Sequence, residues 1–265
     1  MSPFLRRITV LGTPLALAVL NLFHPTWQSP TPAFQAILPK ITWWITLHIL
    51  NLPLFALLGL AAMLLLNGMP GILATCSRVL LVIFAVLYPA FDAMVGIGSG
   101  MIIRLGATLP VSQQAPIVLA TEQFFHLGSI AQDIAFVGSM AWLLGLLAAA
   151  VALARPVWSR WFVIGLAGAV ILLRLLEQAE FALSLAPISI VITLVVALLI
   201  CVALAVVARP QPAVGLLAAS AFLFSLDHAP PVGPLGLALF LLAAAQLEFL
   251  RQRQAAAVPT VAGAP

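Results

Sequence analysis

From Ile8 to Leu250 the chain is a succession of apolar runs separated by short polar corners, and most are long enough to cross the ~30 Å hydrocarbon core of a bilayer. The runs are 8–23, 41–66, 79–103, 134–154, 161–184, 188–208, 214–226 and 235–250. Lipid offers no water to unpaired backbone groups, so consecutive spans of this kind fold as helices. The sequence therefore predicts an all-α, polytopic integral membrane helical bundle of about eight transmembrane helices. It forms one domain over residues 1–253, and the Ala/Pro/Val-rich stretch 254–265 is expected to be a disordered tail.

Composition agrees, since 64% of the 265 residues are hydrophobic and only 7% are charged, far from the ~25% of soluble domains. The expected location is the cell membrane, multi-pass, with the lipid bilayer as the first partner. There is no basic run, RNP-like motif or zinc-finger spacing, so nucleic acid is not an expected partner. Cys76 and Cys201 are far apart in sequence, one near the cytoplasmic end and the other inside a helix, which supports neither a disulfide framework nor a thiolate metal site, and they are expected to be small buried hydrophobes. Arg6-Arg7 ahead of the first run would also suit a signal peptide. The run leads into His24-Pro25-Thr26-Trp27 with no A-x-A cleavage pattern, so a retained helix is expected.

Orientation follows from the basic residues. With the N-terminus inside and the spans alternating, Arg6, Arg7, Arg78, Arg155, Arg160, Arg209, Arg251 and Arg253 face the cytoplasm. Only Lys40, Arg104 and Arg174 remain in the outer half, as the positive-inside rule requires, and both termini are cytoplasmic. This arrangement carries Asp92, Glu122, Asp133, Glu177, Glu180 and Asp227 to the outer half with all four histidines, His24, His48, His126 and His228. Glu248 alone among the acids is cytoplasmic.

Several of these groups lie deep. His48 is about 10 Å into the second run and Asp92 about 18 Å from Arg104, each near a helix-interrupting proline, Pro53 or Pro89. A carboxylate at that depth needs a partner or a wet cavity, and Arg174 is the expected cation. Gly96 and Gly100 have the spacing that lets another helix approach closely. Arg174 and Glu177, three apart, are spaced for an ion pair and with Asp92 and Asp227 make up an expected intramembrane polar network. The seventh run is about 20 Å long, too short to span unaided, so Asp227 and His228 at its tip are expected to line a cavity.

Glu122, His126, Ser129 and Asp133 follow one another at +4, +3 and +4, which places them on one face of a helix that begins at Pro116 and bends near Gly128. His48, Glu122, His126 and His228 are the candidate ligands of a divalent metal, and mixed imidazole and carboxylate donors suit zinc or iron. Asp92 is the candidate catalytic base for a metal-bound water, giving a membrane enzyme that acts on a lipid-phase substrate. The spacing is neither Glu-x-x-His nor His-Glu-x-x-His, and a small polar ligand would suit the same groups. Haem b is disfavoured because His48 has no evident partner at its own depth.

Two other classes remain open. One is an accessory or scaffold subunit whose polar residues bind helices or other membrane subunits together. The other is a proton- or ion-coupled transporter with Asp92 as carrier and Arg174–Glu177 as gate, although no charged group continues a pathway through the inner halves.

Overall fold

The computed structural model describes residues 1–26, 31–126, 128–154 and 212–257. The fifth and sixth apolar runs, with Arg174 and Glu177, lie outside the described residues, as do positions 258–265. The fold is all-helical, with no strand among the described residues. Among the described residues five helical stretches are long and apolar enough to cross a membrane: Pro3–Leu22 (α1), Ala33–Leu65 (α2), Ile72–Gly106 (α3), Ala115–Leu153 and Val232–Gln254. The fourth is divided by a corner into α4, Ala115–Phe125, and α5, Ile130–Leu153. A shorter apolar helix, Pro212–Leu226 (α6), precedes α7, Val232–Ala257.

Helix boundaries follow local chemistry. Ser2 caps α1, its hydroxyl accepting the Leu5 N–H at 3.3 Å, and Pro3 sits in the first turn where its missing donor costs nothing. At the far end Pro25 stops the chain just after His24. The last helix continues past Arg253 to Ala257, beyond the predicted start of the tail, because Gln254-Ala255-Ala256-Ala257 are strong helix formers.

The packed neighbours close a ring in the order α1, α2, α3, α5, α6, α7 and back to α1. At its centre lie Phe55, Phe84, Trp142, Phe224 and Phe240, all fully buried. Helix α6 is apolar around its whole circumference and buried along nearly its whole length, as such a helix must be. The outward faces keep apolar side chains such as Ile8, Leu15 and Val19 on α1 and Val82 and Val86 on α3, which suits contact with lipid. Cys76 is exposed rather than buried: its position on α3 turns it outward.

Two features of this frame shape the site. Pro89 cannot donate to the carbonyl one turn back, and directly after Asp92 the helix widens into a π turn over Ala93–Gly98, a defect common at functional sites. On the wide turn Gly96 lies flush against His48, where a Cβ would overlap the imidazole, and a Cβ on Gly100 would stand 2.6 Å from Ile45 Cγ1. The two glycines thus admit α2 to close contact, as their spacing predicts.

The polar stripe expected on one helix face is divided. Helix α4 ends at Phe125, His126 is extended, Gly128 adopts φ +82°, and Ser129 begins a new helix by accepting the Gln132 N–H at 3.3 Å. The expected bend falls at Gly128, but a left-handed glycine followed by a serine cap is a full stop between helices rather than a flexure. Glu122 and His126 therefore belong to one helix end and Ser129 and Asp133 to the next.

Candidate metal centre

Three histidines from three parts of the chain meet at the same end of the ring. His24 stands at the end of α1, His48 in the second turn of the main run of α2, and His228 in the connection between α6 and α7. One ligand atom from each lies within 4.8 Å of those of the other two. The rings pack edge to face, with centroids 5.2 Å apart for His24 and His48 and 4.9 Å for His24 and His228. Asp92 joins them from α3: its Oδ1 is 3.8 Å from His48 Nε2 and 3.9 Å from His228 Nε2.

Each ring is set by its neighbours. His24 Nδ1 lies 2.9 Å from the Pro25 carbonyl and His48 Nδ1 2.6 Å from the Trp44 carbonyl. A carbonyl only accepts, so in both rings Nδ1 carries the hydrogen and Nε2 keeps its lone pair. One turn deeper, Asn21 and Asn51 pair at 3.4 Å and fix α1 against α2 in the register that sets His24 opposite His48. His228 is held by its loop, where the Asp227 carboxylate accepts the Ala229 N–H at 2.9 Å and a Cβ on Gly233 would collide with the His228 main chain. Its Nδ1 is 3.2 Å from the hydroxyl of Tyr88.

Several of the polar atoms at the centre have no hydrogen-bond partner. Six buried side-chain atoms among the described residues are in that state, and four of them are His24 Nε2, His228 Nε2 and both oxygens of Asp92. Buried polar atoms without partners are costly, and a cluster of them calls for an explanation. Burial holds His24 at a pKa of about 2, with the neighbouring His228 and His48 adding to the effect, and holds His228 at about 3, with His48 adding to it. Both rings are neutral at physiological pH, the form that binds metal.

These groups face a cavity of about 340 Å³. Trp44, Phe91, Val95 and Phe125 make its apolar wall, and Thr26, Gln132 and Asp227 stand toward the outside. Beside His228, the rings of Phe55, Tyr88, Phe84 and Phe224 pack edge to face or tilted at centroid distances of 4.9–6.2 Å. Three imidazoles with room beside them could hold a divalent metal ion, and three nitrogen donors leave a coordination position open.

Of the residues singled out from sequence, the structure brings His48, Asp92 and His228 together and sets Asp227 beside them, with its carboxylate 55% exposed rather than buried within the membrane. It does not bring Glu122 or His126. The Glu122 carboxylate accepts the Ala33 N–H at 2.6 Å, tying α4 to the start of α2, and His126 is exposed beyond the end of α4. The ligand that sequence reasoning leaves out is His24. A signal for it was present in the mirrored spacings Asn21-x-x-His24 and His48-x-x-Asn51, which face each other when two helices run antiparallel. Arg174, the expected partner of Asp92, and Glu177 lie outside the described residues. No protein family, characterised protein or solved structure matches the chain.

Proposed function

We propose that this is a multi-pass cell-membrane protein that binds one divalent transition metal, zinc or iron, through Nε2 of His24, His48 and His228, and uses it for hydrolysis of a lipid-phase substrate. The observation that carries this reading is the convergence of unpartnered buried atoms from two histidines and Asp92 on one cavity. Neutral imidazoles whose other nitrogens are already engaged are preorganised for such an ion, and nitrogen with carboxylate donors suits zinc or iron. Asp92, 3.8–3.9 Å from Nε2 of His48 and His228, supports this reading as the group that would accept a proton from water activated at the centre. A metal held by the three imidazoles would supply an activated water for attack on a carbonyl carbon, and the Asp92 carboxyl would return the proton to the leaving group. The wall of Trp44, Phe91, Val95 and Phe125 suits an apolar substrate.

A transport pathway would call for charged groups continuing through the inner halves of the spans, and the sequence places none there. A scaffold subunit would have no use for the convergent lone pairs. Elemental analysis of protein purified without chelator separates these readings: about one equivalent of zinc or iron is expected, falling to near zero in His48→Ala and unchanged in His126→Ala. Well-folded wild-type protein without stoichiometric metal would overturn the proposal.

We further propose that eight spans place both termini in the cytoplasm. The contact of Arg6 with Glu248 at 2.7 Å supports this, since it puts the start of α1 and the last turns of α7 at one end of the bundle. Cysteines placed at Ser112 and Asn67, with Cys76 and Cys201 replaced by serine, test it. Impermeant reagent applied to intact cells should label position 112 only, and labelling at 67 rejects the topology.

A further inference from the structure

The third histidine differs from the other two in what holds it. His24 and His48 give their Nδ1 hydrogens to carbonyls, which can do nothing but accept. His228 Nδ1 instead meets Tyr88 Oη at 3.2 Å, whereas the Asp227 carboxylate, at 3.7 Å, is beyond hydrogen-bond length. Tyr88 and Asp92 lie one turn apart on α3, so a single helix faces both nitrogens of the same ring: the phenol at Nδ1 and the carboxylate at Nε2. The phenol is 3% exposed and is held between Phe55, Phe84 and Phe224.

We infer that Tyr88 is a positioning residue of the metal centre, which sets His228 as the third ligand by accepting its Nδ1–H. The inference rests on the metal reading above and adds the residue that governs it. A hydroxyl both donates and accepts, which makes His228 the adjustable member of the set. With Tyr88 donating, the ring hydrogen sits on Nε2 and faces Asp92, and the ring cannot bind metal. With Tyr88 accepting, the Nε2 lone pair faces the cavity beside those of His24 and His48. Metal binding selects the second arrangement, and the hydrogen bond from Nδ1–H to the phenol then raises the basicity of the ligand.

Tyr88→Phe removes the acceptor and keeps the ring, and Phe84→Leu disturbs the same aromatic cluster without touching the hydroxyl. Zinc affinity measured by chelator competition should fall ~10–100-fold in Tyr88→Phe, the usual effect of losing such a partner. The visible spectrum of the cobalt-substituted protein should change with it, while Phe84→Leu keeps the wild-type affinity and spectrum. Wild-type affinity and spectrum in Tyr88→Phe would overturn the inference and leave the metal centre standing. An equal loss in Phe84→Leu would also overturn it, by reducing Tyr88 to packing. A wild-type protein that binds no metal would instead reject the centre itself.

Discussion

At the end of the bundle that carries Arg6, Arg78, Glu248 and Arg251, every one of these charged side chains has partners, whereas at the end that carries His24, Asp92 and His228 buried polar atoms face one another without any. The first group surrounds the C-terminus of α2, where the last carbonyls of a helix are unpaired and the dipole is negative. Arg6 Nη2 donates to the Leu64 carbonyl at 2.8 Å, Arg251 Nη2 to Leu65 at 2.6 Å, and Arg78 Nη2 to Leu66 at 2.6 Å and Met69 at 2.8 Å. Arg6 also grips Glu248 through two nitrogens, at 2.7 Å and 3.2 Å to Oε1. Satisfied polar groups of this kind lock a structure, and removing one strands the others. The histidine end has its polar groups preset in direction and left unmatched, which is the arrangement of a site that receives something. Two polar clusters of similar size can thus be assigned opposite roles by asking where their hydrogen bonds go.

The sharpest test sets the two ends against each other. Glu248→Ala strands Arg6 in a mostly buried place and should cost about 3 kcal/mol of stability, at the low end for a broken buried pair because the Leu64 carbonyl remains. Metal content should not change. Asp92→Asn strands no partner, so the metal-free protein should stay within about 1 kcal/mol of wild type while hydrolytic activity disappears. Thermal melts in detergent with metal analysis decide the point, and the reverse ranking breaks the comparison.

A smaller effect is expected from pH. The folded pKa values of His24 and His228, about 2 and about 3, lie below the ordinary value of 6.5, so the unfolded chain takes up protons in that interval and the folded chain does not. Stability of the metal-free protein is therefore complete above pH 6.5 and falls as pH drops toward 3, by about 2 kcal/mol for each ring between pH 6.5 and 5. His48, Asp92, Asp227 and Tyr88 face these rings, so the His24→Ala variant serves as the reference. Melting temperatures followed from pH 7.5 to 5 should fall more steeply in wild type than in that variant, and parallel curves would remove the buried neutral rings from the account.

Fold class was legible in the sequence because a bilayer admits few solutions: apolar length gives helices, and each span announces itself alone. Asp92 and His48 were legible for the same reason, as ionisable groups inside apolar runs beside prolines. His228 followed from the shortness of the run before it. What the sequence does not announce is which groups meet, because that depends on the register between helices. His24 looks like a loop residue until α1 is laid antiparallel to α2. Glu122 and His126 satisfy a helical spacing that Gly128 and Ser129 then cut short. Tyr88 carries no charge, so nothing but its place one turn before Asp92 connects it with the site.

The order in which the ring closes bears on how the protein is made. His24 leaves the ribosome before the other members of the cluster, and His228 follows only when α6 and α7 are ready to enter the membrane. Between those events α1 can already pair with α2, Asn21 with Asn51 and His24 with His48, while its remaining side waits for α7 to dock against it. A nascent chain interrupted before α6 therefore has no closed cavity and no third imidazole. The three-histidine cluster is thus assembled late, once the connection between α6 and α7 has folded against α1 and α2.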